Sequence, residues 1–117
     1  MNREILPSEQ IDSDALSQIS NYHADIVKEV QAAVKDHKVV IVGMRQNPVV
    51  KSAKKALSAA GIPFTYLEYG SYFSMWKERL AIKLWSGWPT YPQVFVEGKL
   101  IGGRDETVKA LVAGKIK

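Results

Sequence analysis

The residues best placed for chemistry stand where an apolar run gives way to a helix. Val39-Val40-Ile41-Val42 reads as a buried strand, and Val49-Val50-Lys51-Ser52-Ala53-Lys54-Lys55-Ala56-Leu57 reads as a helix. Between them comes Gly43-Met44-Arg45-Gln46-Asn47-Pro48. Asn47 falls at the helix N-cap and Pro48 at the first helical position, where its missing N–H costs nothing. Such a joint aims unpaired backbone N–H groups and a positive dipole end at whatever lies above it. It draws anions, and it would lower the pKa of a thiol placed there. No thiol is available, because the chain contains no cysteine. That excludes disulfides, thiolate catalysis, thiolate-held iron–sulfur clusters and most structural zinc sites. The two histidines, His23 and His37, have no second ligand type clustered with them, so no metal site is expected.

The elements that must hold this joint follow from periodicity. A helix is expected from Ser13, capped by Asp12 or Ser13. Leu16, Ile19, Tyr22 or His23, Ile26, Val27, Val30 and Val34 form its stripe, which makes one long N-terminal helix of about six turns at ~3.6 residues per turn. Residues 38–42 form the first strand, buried on both faces. The helix from Pro48 turns Val49, Val50, Ala53, Ala56, Leu57 and Ala60 inward and stops at Gly61. Residues 62–69 form a second strand, which completes a right-handed βαβ unit. A third helix starts at Ser71 or Ser74 and runs to about Trp85, with Tyr72, Met75, Trp76, Leu80, Ile82 and Leu84 available for packing; Ser86-Gly87 ends it. A loop with two prolines follows, then a hairpin turning at Glu97 and Gly98 or at Gly98 and Lys99. A last helix, from about Asp105 to Ala113, is expected to bury Val108, Leu111 and Val112.

At 117 residues the chain makes one domain, residues 13–117, behind a polar lead over residues 1–12. Hydrophobic content of 46% and charged content of 24% are those of a soluble globular protein. The net charge of +4 is mild and its lysines are dispersed, so no nucleic-acid partner is expected. No apolar run reaches membrane-spanning length, and no signal peptide is recognised at the start, so a cytoplasmic location without membrane association is the expectation.

The C-terminal part carries a specific pattern. Trp88-Pro89-Thr90-Tyr91-Pro92-Gln93-Val94-Phe95, followed by Gly102-Gly103 and Asp105, resembles the WPT-x-PQ…GGxD segment of monothiol glutaredoxins. The resemblance runs over roughly residues 15–117, about one domain, and is dense from Arg79 onward. It implies a thioredoxin-like α/β fold in its glutaredoxin form, a four-stranded mixed sheet flanked by helices.

It also implies a site for glutathione across the joint at Asn47. Thr90 and Tyr91 would present backbone to the tripeptide, with Tyr91-Pro92 cis, in the manner of strand addition. Arg79 matches a family arginine that pairs with the glycine carboxylate, a task suited to a planar fork. Asp105 matches the residue that takes the glutathione ammonium, and the backbone of Gly103 and Arg104 would hold the γ-glutamyl carboxylate. Taken alone, Asp105 is a first-turn carboxylate that complements the helix dipole.

Four positions depart from the family pattern. Asn47 stands at the active-site cysteine and Val50 at the resolving cysteine of dithiol members. Met44 replaces the usual lysine, with Arg45 beside it as a substitute, and Arg104 stands where cysteine or serine is common. An amide is neither a nucleophile nor a thiol-cycle redox group. The expectation is therefore a non-catalytic module that binds glutathione or an extended peptide, with no iron–sulfur cluster. The alternative is a protein-interaction module of redox or iron–sulfur pathways that no longer binds glutathione, its partner docking around Trp76, Trp85 and Trp88 or on the first helix.

Overall fold

A computed structural model describes residues 5–117. Within the lead, Ser8–Gln10 form a single 3-10 turn. Helix α1 (Ser13–Asn21) follows, and the Asp12 carboxylate accepts from Asp14 N at 3.1 Å, which settles the cap on Asp12. Residues 1–4 of the expected lead lie outside the described residues.

The expected single N-terminal helix is two. Helix α1 stops at Asn21 and α2 (Ala24–Asp36) restarts after His23, which sits in the left-handed region at φ 46°. The apolar stripe runs in period across the break, which hides it from the sequence, and the Tyr22 and His23 rings meet edge-on at 4.7 Å. Only Val30 of the stripe is fully buried, and Ile19 is exposed.

Strand β1 (Val39–Gly43) pairs in parallel with β2 (Thr65–Glu68) and antiparallel with β3 (Gln93–Val96), which pairs antiparallel with β4 (Lys99–Gly102). The sheet order is β2-β1-β3-β4. Side chains alternate across a strand, and β1 shows both consequences. Val40 and Val42 enter one core with Val30, Ile82, Tyr91 and Phe95. Val39 and Ile41 enter the other with Leu57, Val94 and Ile116. Helices α2 and α4 (Trp76–Ser86) pack together, as do α3 (Pro48–Ala59) and α5 (Arg104–Val112). The hairpin turns at Glu97 and Gly98, both at positive φ. Among the described residues no helix is long and apolar enough to cross a membrane.

Several expected burials fail. Helix α4 starts at Trp76, later than expected, and presents Trp76, Leu80 and Leu84 to solvent, while Tyr72 and Met75 precede it and are also exposed. Val49 of α3 is exposed, as are Val108 and Val112 of α5. Instead α5 buries Thr107, whose hydroxyl donates to Gly103 O at 2.8 Å, and Ile116 beyond the helix fills the core place.

Candidate functional site

The strand register gathers one end of the sheet. Val42 lies opposite Gln93, so Gly43 and Pro92 are neighbours where β1 ends and β3 begins. Val94 lies opposite Gly102, which brings Gly103 and the start of α5 to the same edge. A Cβ built on Gly103 would stand 3.4 Å from Pro92 O and 3.5 Å from Trp88 Nε1. On the other side Gly43 pairs with Glu68, and Tyr69 N donates to Gly43 O at 2.9 Å. The N-termini of α3 and α5 thus open onto one surface.

Asn47 caps α3. Its Oδ1 accepts from Val49 N at 2.9 Å and from Val50 N at 3.1 Å, and Pro48 takes the first helical position. Val50 is buried, its Cγ1 only 2.7 Å from where a Cβ on Gly43 would lie, so glycine is required at the end of β1. In the loop between them Met44 is buried and Arg45 exposed. Arg45 Nε stands 4.0 Å from Glu68 Oε2, a loose pair in water-accessible surroundings. Tyr66 bridges toward the same corner, its hydroxyl 3.0 Å from Glu68 Oε1, with Lys54 Nζ 3.9 Å above its ring. Burial and the Glu68 carboxylate push the Tyr66 phenol well above its ordinary range, so it stays a neutral donor.

The second wall is the loop before β3. The Tyr91-Pro92 bond is cis. Thr90 is exposed, while Tyr91 and Pro92 are buried, and the Tyr91 hydroxyl donates to Arg79 O at 2.6 Å. Gln93 is fully buried and its amide donates to Trp88 O at 3.0 Å, which holds the loop closed on itself.

Arg79, expected to face a ligand carboxylate, is engaged with main chain. The residue is 8% exposed, and its Nη1 donates to Tyr69 O at 2.8 Å and to Ser74 O. It braces the turn over residues 69–75 from beneath. Gly70 in that turn accepts from Arg45 N at 2.7 Å. Arg79 therefore acts on the site wall through backbone, its guanidinium being engaged by Tyr69 O and Ser74 O. The sequence could not show this engagement, because nothing in an amphipathic pattern shows which carbonyls lie behind a helix.

At the α5 end, Asp105 is exposed and Arg104 Nη2 lies 2.8 Å from its carboxylate. This pair partly neutralises the Asp105 carboxylate, which remains exposed. The sequence reading missed Glu106, whose Oε1 accepts from Gly103 N at 2.9 Å and occupies one of the N–H groups expected to hold a carboxylate. The signal was present as an acidic residue three positions into a helix after its cap. The bonds from the Gly103 and Glu106 backbone amides hold the Glu106 carboxyl below its ordinary pKa. A lowered carboxylate pKa adds stability that is present above the unfolded value and is lost as pH falls through the folded one. Glu106→Gln should therefore lower Tm at pH 7 by on the order of 2–5 °C, and the gap should close in melts below about pH 4. Among the described residues, Trp88 Nε1 and Arg104 Nε are buried donors without a hydrogen-bond partner. Both flank Gly103.

A four-stranded mixed sheet with a capped strand-to-helix joint facing a cis-proline loop defines the thioredoxin-like class of proteins. The glutaredoxin family model matches residues 39–101. A glutaredoxin-like protein of Dictyostelium discoideum is 54% identical over 98 residues, which cover 84% of this chain and 80% of the relative. Oxidised glutaredoxin 2 of Chlamydomonas reinhardtii superposes with a TM-score of 0.67 at 29% identity over 78% of this chain and 86% of that one. A buckwheat glutaredoxin–glutathione complex superposes with a TM-score of 0.68 at 22% identity over 85% and 86% of the two chains. The chain belongs to the glutaredoxin family.

Proposed function

We propose that this chain is a glutaredoxin of monothiol type whose redox chemistry has been lost and whose groove still binds glutathione or an extended γ-glutamyl peptide. The observation that carries the reading is Asn47. It stands where the fold places a nucleophile, in a chain without cysteine, and its amide oxygen holds the first N–H groups of α3. An amide so engaged attacks no disulfide. Nor does it fit an iron–sulfur cluster, which needs thiolate ligands that the chain cannot supply.

Retained binding is supported by the surface around Gly103. The unpartnered Trp88 Nε1 and Arg104 Nε are donors suited to an acceptor such as the γ-glutamyl carboxylate. Thr90 is exposed where an extended peptide would pair with main chain, and Arg45 is the exposed cation of the opposite wall. Asp105, paired with Arg104, contributes less to the ligand ammonium than an unpaired carboxylate would.

Titration of the 15N-labelled protein with glutathione should shift the Trp88 indole, Thr90, Gly103 and Arg104 signals saturably at millimolar ligand. Arg104→Ala should weaken that binding by about tenfold, the share of one charge-assisted hydrogen bond. Unmoved signals at millimolar glutathione would leave the groove without its ligand. No turnover of a glutathione mixed disulfide is expected in the same samples.

A further inference from the structure

Helix α4 carries a surface that the groove does not use. Trp76 is 59% exposed, Leu80 38% and Leu84 60%, and Phe73 in the turn leading into the helix is 93% exposed. The three helical residues recur every four positions and stand on one face. With Phe73 they present on the order of 500 Å² of apolar side chain, at the upper end of the largest patch a monomer normally shows. Lys77 and Lys83 border the stripe on opposite sides, and the helix's single carboxylate, Glu78, is half-buried. The stripe ends at a cavity of about 300 Å³. Leu84 and Trp85 form one wall of that cavity, Ile19 of α1, Tyr22 of the break and Val27 of α2 line it, and Lys28 also faces it.

We propose that the outer face of α4 is a docking surface for a partner protein's amphipathic helix with acidic flanks. The apolar stripe matches the face such a helix offers, and the lysines on both edges match its flanking carboxylates. The cavity takes one bulky side chain as an anchor, with Lys28 available to an acidic neighbour. A second copy of this chain fits poorly, because pairing the face with itself lines each edge with lysines from both copies. A lipid surface would use the stripe and the lysines but would leave the pocket walled by Ile19, Val27, Leu84 and Trp85 without a side chain to fill it.

The test uses a designed helical peptide with leucine and one tryptophan on one face and glutamate along both edges. Added to the full 15N-labelled chain, it should shift the Trp76 and Trp85 indole signals saturably. The double variant K77E/K83E should weaken binding at least ~10-fold, and Leu80→Asp, with its fold checked by its NMR spectrum, should abolish it. Equal binding of the same peptide with lysine in place of glutamate would overturn the proposal, as would indoles unmoved by either peptide. A concentration-dependent dimer that Leu80→Asp dissolves would overturn it in favour of a second copy. Sedimentation with phosphatidylcholine–phosphatidylserine vesicles, without peptide binding, would overturn it in favour of a membrane. The groove's ligand plays no part in these readouts, so failure here and failure of glutathione binding are separate results.

Discussion

Asn47→Cys is expected to give this cysteine-free chain glutathione-dependent thiol reductase activity. Asn47 already stands at the N-cap of α3, with its side chain directed at Val49 N and Val50 N. A cysteine sulfur there would face the same two N–H groups and the positive end of the helix, an environment that lowers thiol pKa from about 8.5 into the range ~3.5–7.5. At neutral pH the thiolate then becomes a substantial fraction of the residue. It would attack the glutathionyl sulfur of a mixed disulfide, expel the partner thiolate and form a protein–glutathione disulfide. A second glutathione thiolate would cleave that disulfide, releasing oxidised glutathione and restoring the protein thiolate.

The measured rate with a small glutathione mixed disulfide should rise from the buffer background to at least ~100-fold above it. The cost in stability should be about 1 kcal/mol, because sulfur is a weaker cap than the amide oxygen. Val50→Cys supplies the contrast. That side chain is buried against Gly43, so its thiol stays inaccessible and the rate should remain at background. A folded Asn47→Cys protein that stays at background would show that Met44 and Arg104, and not only the missing sulfur, have altered the site.

The same corner shows what a sequence can and cannot reveal. The β1 run, the Asn47 cap and the stop at Gly61 were legible, and the hairpin turn to within one residue, because each rests on a local rule linking residue type to backbone conformation. The break between α1 and α2 was not. His23 takes a left-handed conformation that a non-glycine residue does not advertise, and the apolar period passes through it undisturbed. The outward stripe of α4 was misread as packing for a related reason. Period shows that residues share a face but not whether anything covers that face. Family resemblance pointed to Thr90, Tyr91, Pro92, Gly103 and Asp105, and the register brings the β3 and α5 segments that carry them to one edge of the sheet. The direction of Arg79 and the capping by Glu106 depend on nearby main chain, which only the folded structure supplies.

Arg79 also yields the largest expected stability change. Its guanidinium is nearly buried and donates to two main-chain oxygens, Tyr69 O and Ser74 O. The Tyr91 hydroxyl meanwhile returns to Arg79 O. Arg79→Leu leaves both carbonyls without their charged donor in a region with little water, and should cost about 3 kcal/mol in urea denaturation with an unchanged m-value. Arg79→Lys, with a point charge in place of a fork, should recover one of the two contacts and about half of that loss. The effect should extend along the backbone to the groove. The Arg45 amide, bonded to Gly70 O at 2.7 Å, should exchange its hydrogen faster in both variants as the turn over residues 69–75 loosens. A ligand-pairing arginine would divide these effects the other way, with glutathione affinity falling sharply in Arg79→Lys while stability and Arg45 exchange stayed constant. The buried geometry selects the first pattern, because a guanidinium already engaged by two carbonyls at the back of a turn acts on the groove by holding its wall in place.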